Sequence, residues 1–165
     1  MLYNLRSAHN TASCFRTADG AGVKKLYLAG TTPAPVDRFG DARADFAKVA
    51  LGAEKSVKYE KVADVFELIK RLEGRGFLIA AVEQDGRAES LFEFIKTANK
   101  VALRQAQGIR KLALIFGNEV EGVPEEILKK CDKILEIPMR GKKESLNVSV
   151  VFGIAVYALS EAAQN

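Results

Sequence analysis

The chain has 165 residues, 48% of them hydrophobic and 28% charged, with a formal net charge of +4. That length suits one domain with a substantial core, and that balance is the ordinary one of a globular protein. No apolar run approaches the roughly 18 residues of a membrane span, and residues 1–10 are mixed and polar, without the apolar stretch of a signal peptide; both point to the cytoplasm. His9 is the only histidine and the two cysteines, Cys14 and Cys131, are far apart. A multi-histidine metal site, a disulfide framework and a cysteine zinc site are thereby disfavoured, and no metal is expected. The modest basic excess is compatible with a nucleic-acid substrate, because neutralising phosphates drives such affinity.

In chain order, Thr11–Ala21 has helical spacing. Val23–Ala29 (VKKLYLA) reads as a strand, and Gly30–Asp41, with two prolines and two glycines, as a loop. Val62, Val65, Phe66, Ile69 and Leu72 recur at helical steps, predicting a helix over Val62–Arg71. Phe77–Val82, Lys111–Phe116 and Lys133–Ile137 read as three further strands. Pro124 fits the first position of a helix, with Glu125 and Glu126 complementing its dipole. A last helix is expected from near Ser145 to about Ala163, apolar nearly all round, which calls for burial on the sheet, at a homodimer interface, or both. Strands alternating with helices predict an α/β fold, a mostly parallel sheet flanked by helices on both faces.

Three segments could carry chemistry. In the first, Asn10 to Asp19, the residues alone suggest that Asn10 or Thr11 caps a helix and that Arg16 is solvated. In the second, Gly117-Asn-Glu-Val-Glu-Gly122, a strand ends before a helix, which is where open α/β sheets bind ligands; an ordinary turn accounts for it equally well. Neither a GxxxxGK[ST] phosphate loop nor GxGxxG is present. In the third, Ile137 to Ser149, Ser145 is a candidate N-cap, and Asn147 is a polar amide at the start of an apolar helix that needs a partner.

Together these segments, HNTASCFRTADGAGV, LIFGNEVEGVPEEIL and IPMRGKKESLNVSV, resemble the three signature motifs of the SpoU/TrmH RNA methyltransferases of the SPOUT superfamily, in the family order and across essentially the whole chain. Ala50–Glu54 (ALGAE) resembles the family's short glycine-alanine motif. The resemblance implies one SPOUT-type domain over residues 1–165, without a separate RNA-binding extension, its C-terminal part threaded into a trefoil knot. It implies a homodimer with the active site near an interface built partly by the final helix. The implied reaction moves a methyl group from S-adenosyl-L-methionine to the ribose 2′-hydroxyl of a tRNA or rRNA nucleotide. A non-catalytic RNA-binding protein of the same fold, a base-nitrogen methyltransferase and a general nucleotide-binding α/β protein are the alternatives.

By motif match, Gly117, Ile137 and Leu146 contact the cofactor, with Val82 and Met139 beside them. Asn10, Arg16, Glu119, Ser145 and Asn147 match the catalytic or substrate-positioning positions. Arg16 would grip a phosphate and stabilise the forming alkoxide, since a guanidinium keeps its proton. Ser145 and Asn147 would orient Arg16 or the ribose, and Glu119 would pair with Arg16 or Asn10. Two departures stand out: Thr11-Ala12 follows the first-motif asparagine where many members have glycine, and Arg104–Arg110, between the similar runs KVAL and KLAL, reads as an inserted basic loop.

Overall fold

A computed structural model describes residues 1–97 and 111–164; the Arg104–Arg110 insertion lies outside the described residues. Seven strands form one sheet: β1 (Leu2–Tyr3), β2 (Leu26–Ala29), β3 (Tyr59–Val62), β4 (Leu78–Val82), β5 (Glu89–Ser90), β6 (Leu112–Phe116) and β7 (Lys133–Glu136). Their order is β3-β2-β1-β6-β4-β7-β5 and every pairing is parallel. The helices are α1 (Ala8–Gly20), α2 (Ala44–Ala50), α3 (Ala53–Ser56), α4 (Val65–Glu73), α5 (residues 91–97), α6 (Glu125–Leu128) and α7 (Val148–Gln164). No helix among the described residues is long and apolar enough to cross a membrane.

The central strands are buried on both faces, as parallel strands must be when helices cover both sides. Successive side chains alternate between two cores. Ala80, Val82 and Phe116 point into one, with Leu2, Phe15, Phe46 and Phe152. Ile79, Ala81 and Ile115 point into the other, with Leu68, Ile69, Leu72 and Ile127. In the first core Phe15 meets the edges of Phe46 and Tyr59, with ring centroids at 5.2 and 5.5 Å, and Phe116 packs on Phe152 at 5.1 Å. Burial pushes the Cys14 thiol up to about 12 and the Cys131 thiol up to about 11, so both are held as neutral thiols at physiological pH.

The four expected strands are present, each shorter than its apolar run. The two-residue strands β1 and β5, β3, and helices α2, α3 and α5 were not anticipated. Helix starts also differ. Ser7, not Asn10 or Thr11, caps α1, its hydroxyl accepting from the Asn10 N–H at 3.1 Å. Asp64 caps α4 by accepting from the N–H groups of Phe66 and Glu67, which starts that helix three residues after Val62. Pro124 stands just ahead of α6 rather than at its first position. The final helix begins at Val148, not near Ser145: the Asn147 side-chain oxygen accepts from the Ser149 N–H at 2.9 Å and its carbonyl accepts from Val150 and Val151. Asn147 supplies the cap, and residues 145–147 stay outside the helix.

Two arrangements of these elements position the site. Because all strands are parallel, their carboxyl ends share one edge, where the loops after β4, β6 and β7 meet. Helix α7 lies along α1: Thr17 packs on Gly153, and the Tyr157 hydroxyl lies over Gly20, where a β-carbon would meet it at 2.6 Å.

Candidate active site

A cleft of about 460 Å³ opens at the carboxyl ends of β4, β6 and β7. Val82, Phe116, Ile137, Met139, Leu146 and Val151 supply its apolar lining, and Glu83, Asn118, Glu119, Glu136, Ser145 and Asn147 its polar groups. All five positions expected to hold a cofactor, Gly117, Ile137, Leu146, Met139 and Val82, line this one cleft. Its size and its mixture of apolar and polar walls fit a small organic ligand that carries both kinds of group.

The loop after β6 is shaped by its own residues. Asn118 is buried, and its side-chain oxygen accepts from the N–H groups of Val120 and Glu121 at 2.8 and 2.7 Å, an Asx turn that folds the loop back. Gly122 then pairs with Asn118 and takes φ +64°. The fold-back brings Gly122 against Gly117 so closely that a β-carbon on Gly117 would lie 2.0 Å from the Gly122 carbonyl carbon. Only glycine fits there. Glu83, just past β4, holds the far side: one carboxylate oxygen accepts from the Val123 N–H at 2.8 Å and the other from the Gln84 N–H at 3.0 Å. The loop after β4 is tied to α6 by Arg87, which donates to Asp85 and to both oxygens of Glu125. That guanidinium holds the Asp85 carboxyl down to about 2.

The polar wall is a relay of side chains from all three motif segments. The Asn147 amide donates to the Asn10 side-chain oxygen at 3.2 Å, and the Asn10 amide donates to Glu119 at 2.7 Å. The Arg6 N–H reaches the other Glu119 oxygen at 3.4 Å. Asn147 therefore has two tasks: its oxygen caps α7 while its nitrogen fixes Asn10. This identifies the partner that the sequence left unnamed. Ser145 is exposed on the cleft wall. Of the expected catalytic residues, Glu119, Ser145 and Asn147 thus line the cleft, and Asn10 joins them through its hydrogen bonds to Glu119 and Asn147.

Arg16 does not join them. It is exposed on α1, about 9 Å along the axis from Asn10 and some 120° around it. It does not line the cleft, and among the described residues it has no hydrogen-bond or ion-pair partner. Sequence reasoning missed Asn118 and Glu83. An asparagine beside Gly117 carried a turn signal, but a glutamate at a strand end is too common to stand out.

The whole arrangement matches a known family. The chain matches the SpoU rRNA Methylase family over residues 1–157 and belongs to it. Among its relatives are the 23S rRNA (guanosine-2′-O-)-methyltransferases RlmB of Bordetella pertussis, 31% identical over 95% of this chain and 56% of the relative, and of Escherichia coli, 31% identical over 95% of this chain and 57% of the relative. The chain thus spans a little over half the length of the curated relatives it matches. Among solved structures, a TrmH/SpoU tRNA modifying enzyme of A. aeolicus superposes with a TM-score of 0.79 at 28% identity, over 99% of this chain and 73% of that one. The SpoU methyltransferase AviRb from Streptomyces viridochromogenes, solved with AdoMet, superposes at 0.80 with 20% identity, over 99% of this chain and 59% of that one, a likeness of fold.

Proposed function

We propose that residues 1–165 form one SPOUT-type catalytic domain that transfers a methyl group from S-adenosyl-L-methionine to a ribose 2′-hydroxyl of RNA in the cytoplasm. The observation that carries this reading is the convergence of three separated segments on one cleft, a cofactor-sized apolar wall beside the Asn147–Asn10–Glu119 relay. RlmB relatives act on 23S rRNA by name, so ribosomal RNA is the first substrate to test, with tRNA second.

The cleft suits the cofactor. Gly117 lets the loop after β6 fold back against the cleft, Ile137, Leu146 and Met139 offer apolar contact, and Val82 closes the base. When bound, S-adenosylmethionine supplies the electrophilic methyl group. The chain's residues align the ribose for in-line attack. Asn10, held from both sides, presents a fixed amide, Ser145 offers a hydroxyl, and Glu119 anchors the relay. A cation is needed where negative charge develops on the ribose oxygen, and Arg16 is the motif residue that fits.

We assign that Arg16 to the cleft of a second protomer. Val150 is 47% and Tyr157 46% exposed, on one stripe of α7 with Ile154 between them, while Val148, Phe152, Ala155 and Val156 face the core. Such an uncovered apolar stripe favours a homodimer through α7. Arg16 lies one helical turn before Gly20, which touches Tyr157, beside the proposed boundary. The trefoil knot belongs to the same proposal: β7 lies between β4 and β5, the two strands joined directly by residues 83–88, and threading beneath that connection accounts for the path to α7.

The test incubates the protein with labelled S-adenosylmethionine and ribosomal or transfer RNA, beside Arg16→Ala, and identifies the labelled nucleoside after digestion. A 2′-O-methylnucleoside formed by the wild type and lost in the variant is expected. Label on a base, or none despite cofactor binding by calorimetry, would overturn the reading.

A further inference from the structure

We propose that the Arg38–Phe39 tip of the loop between β2 and α2 is a stacking platform for an unpaired base of the RNA, outside the cleft that takes the reacting ribose. The proposal rests on the methyltransferase reading above.

Phe39 is 75% exposed, more than any other large apolar side chain among the described residues. A single exposed apolar side chain is common and by itself means little; the surroundings of this one are what count. Its backbone is fixed. One Asp37 carboxylate oxygen accepts from the Phe39 N–H at 2.7 Å and from the Asp41 N–H at 3.0 Å. The Asp37 N–H donates to the Asp41 carbonyl at 2.9 Å, and Val36 pairs with Ala42 at the base of the turn. The ring is therefore displayed in a preorganised turn, so that little ordering remains to oppose binding.

The Arg38 guanidinium lies over the ring, 4.7 Å from its centroid, and has no acidic partner among the described residues. An aromatic plane beside an unpaired cation is the pairing that binds a nucleotide, with the ring stacking the base and the cation meeting the phosphate. A duplex keeps its bases stacked on one another and offers no free face, so the tip selects unpaired RNA.

Position supports the same occupant. The loop leaves the carboxyl end of β2, on the sheet edge that carries the cleft. The order β2-β1-β6-β4 puts the strand end it leaves two strand spacings, about 10 Å, from β6, the nearest strand of the cleft. Across the cleft, Arg140, Lys142 and Lys143 are exposed and without ion-pair partners among the described residues. The cleft itself carries Glu83, Glu119 and Glu136, which repel phosphates. With the reacting ribose at the cleft, the phosphates on either side of it are thus held outside the acidic cleft, and the Arg38–Phe39 tip is the contact that reads an open base.

The test uses the full chain with a labelled unstructured oligoribonucleotide and, separately, a fully paired RNA duplex. Phe39→Ala is expected to weaken single-strand binding about 5- to 100-fold, with Phe39→Trp close to wild type. Duplex binding, S-adenosylmethionine affinity by calorimetry and the oligomeric state are expected to be unchanged. Arg38→Ala should lower the slope of log affinity against log salt by about 0.7. Wild-type single-strand binding by Phe39→Ala, equal losses on single strand and duplex, or a change in assembly would each overturn the platform. A wild-type protein that binds the oligonucleotide through Phe39 but transfers no methyl group would uphold the platform and sink the methyltransferase reading.

Discussion

Asn147 shows how far a single residue can be read. A polar amide opening an apolar helix requires a partner, and that requirement was visible in the sequence; that the partner is Asn10, 137 positions away, was not. Gly117 was legible as a strand-end glycine, yet the reason it cannot be anything else is the fold-back of Gly122, which depends on Asn118 and on Glu83 from the loop after β4. Gly117→Ala sets a methyl group on the Gly122 backbone. The loop must move, and Glu119 with it. We expect a loss of about 1–3 kcal/mol in urea unfolding and a fall of about tenfold or more in cofactor affinity by calorimetry, by analogy with small displacements of positioning groups. Unchanged affinity would show that this loop is not a cofactor wall.

Among the elements, long periodic segments were read well and short ones were not. Helix α4 declared itself through Val65, Phe66, Ile69 and Leu72, but its start was set by the Asp64 side chain rather than by the apolar pattern. Asp64→Ala removes the acceptor for two N–H groups and should cost about 1 kcal/mol of stability in chemical denaturation; no change in the unfolding midpoint would mean that α4 contributes little to the cooperative unit. Strands β1 and β5 have two residues each, too few for any alternation to register. Yet β1 stands between β2 and β6 inside the sheet, where neighbours on both sides create a strand that its own sequence does not specify. The late start of α7 is a related case. Residues 145–147 could have entered the helix by propensity, but Asn147 as cap leaves Ser145 and Leu146 on the cleft wall.

For the whole molecule, the outer stripe of α7 and the solitary Arg16 make a joint prediction. Arg16→Ala and Asn10→Ala should each be inactive as homodimers. If Arg16 serves the other protomer's cleft, one site of the mixed dimer carries both substitutions and the other carries neither. Mixing the two variants under exchange conditions should then restore about a quarter of wild-type activity, the statistical yield for a twofold dimer. No restored activity, with exchange verified, would place Arg16 in the cleft of its own chain or outside catalysis. Val150→Lys provides the companion measurement: light scattering should show a monomer, and a dimer would remove α7 from the interface.

The sequence by itself determined the α/β class, four of the strands and the two-sided burial, because periodicity is a local property, and its resemblance to the family singled out the three segments that make the candidate site. The tertiary structure alone decided the strand order, the interior place of β1, the joining of Asn10, Glu119 and Asn147 into one relay, and the exclusion of Arg16 from its own cleft. Those depend on which distant segments share the carboxyl edge of the sheet. That choice is made by burying two apolar faces at once, and no window of sequence contains it.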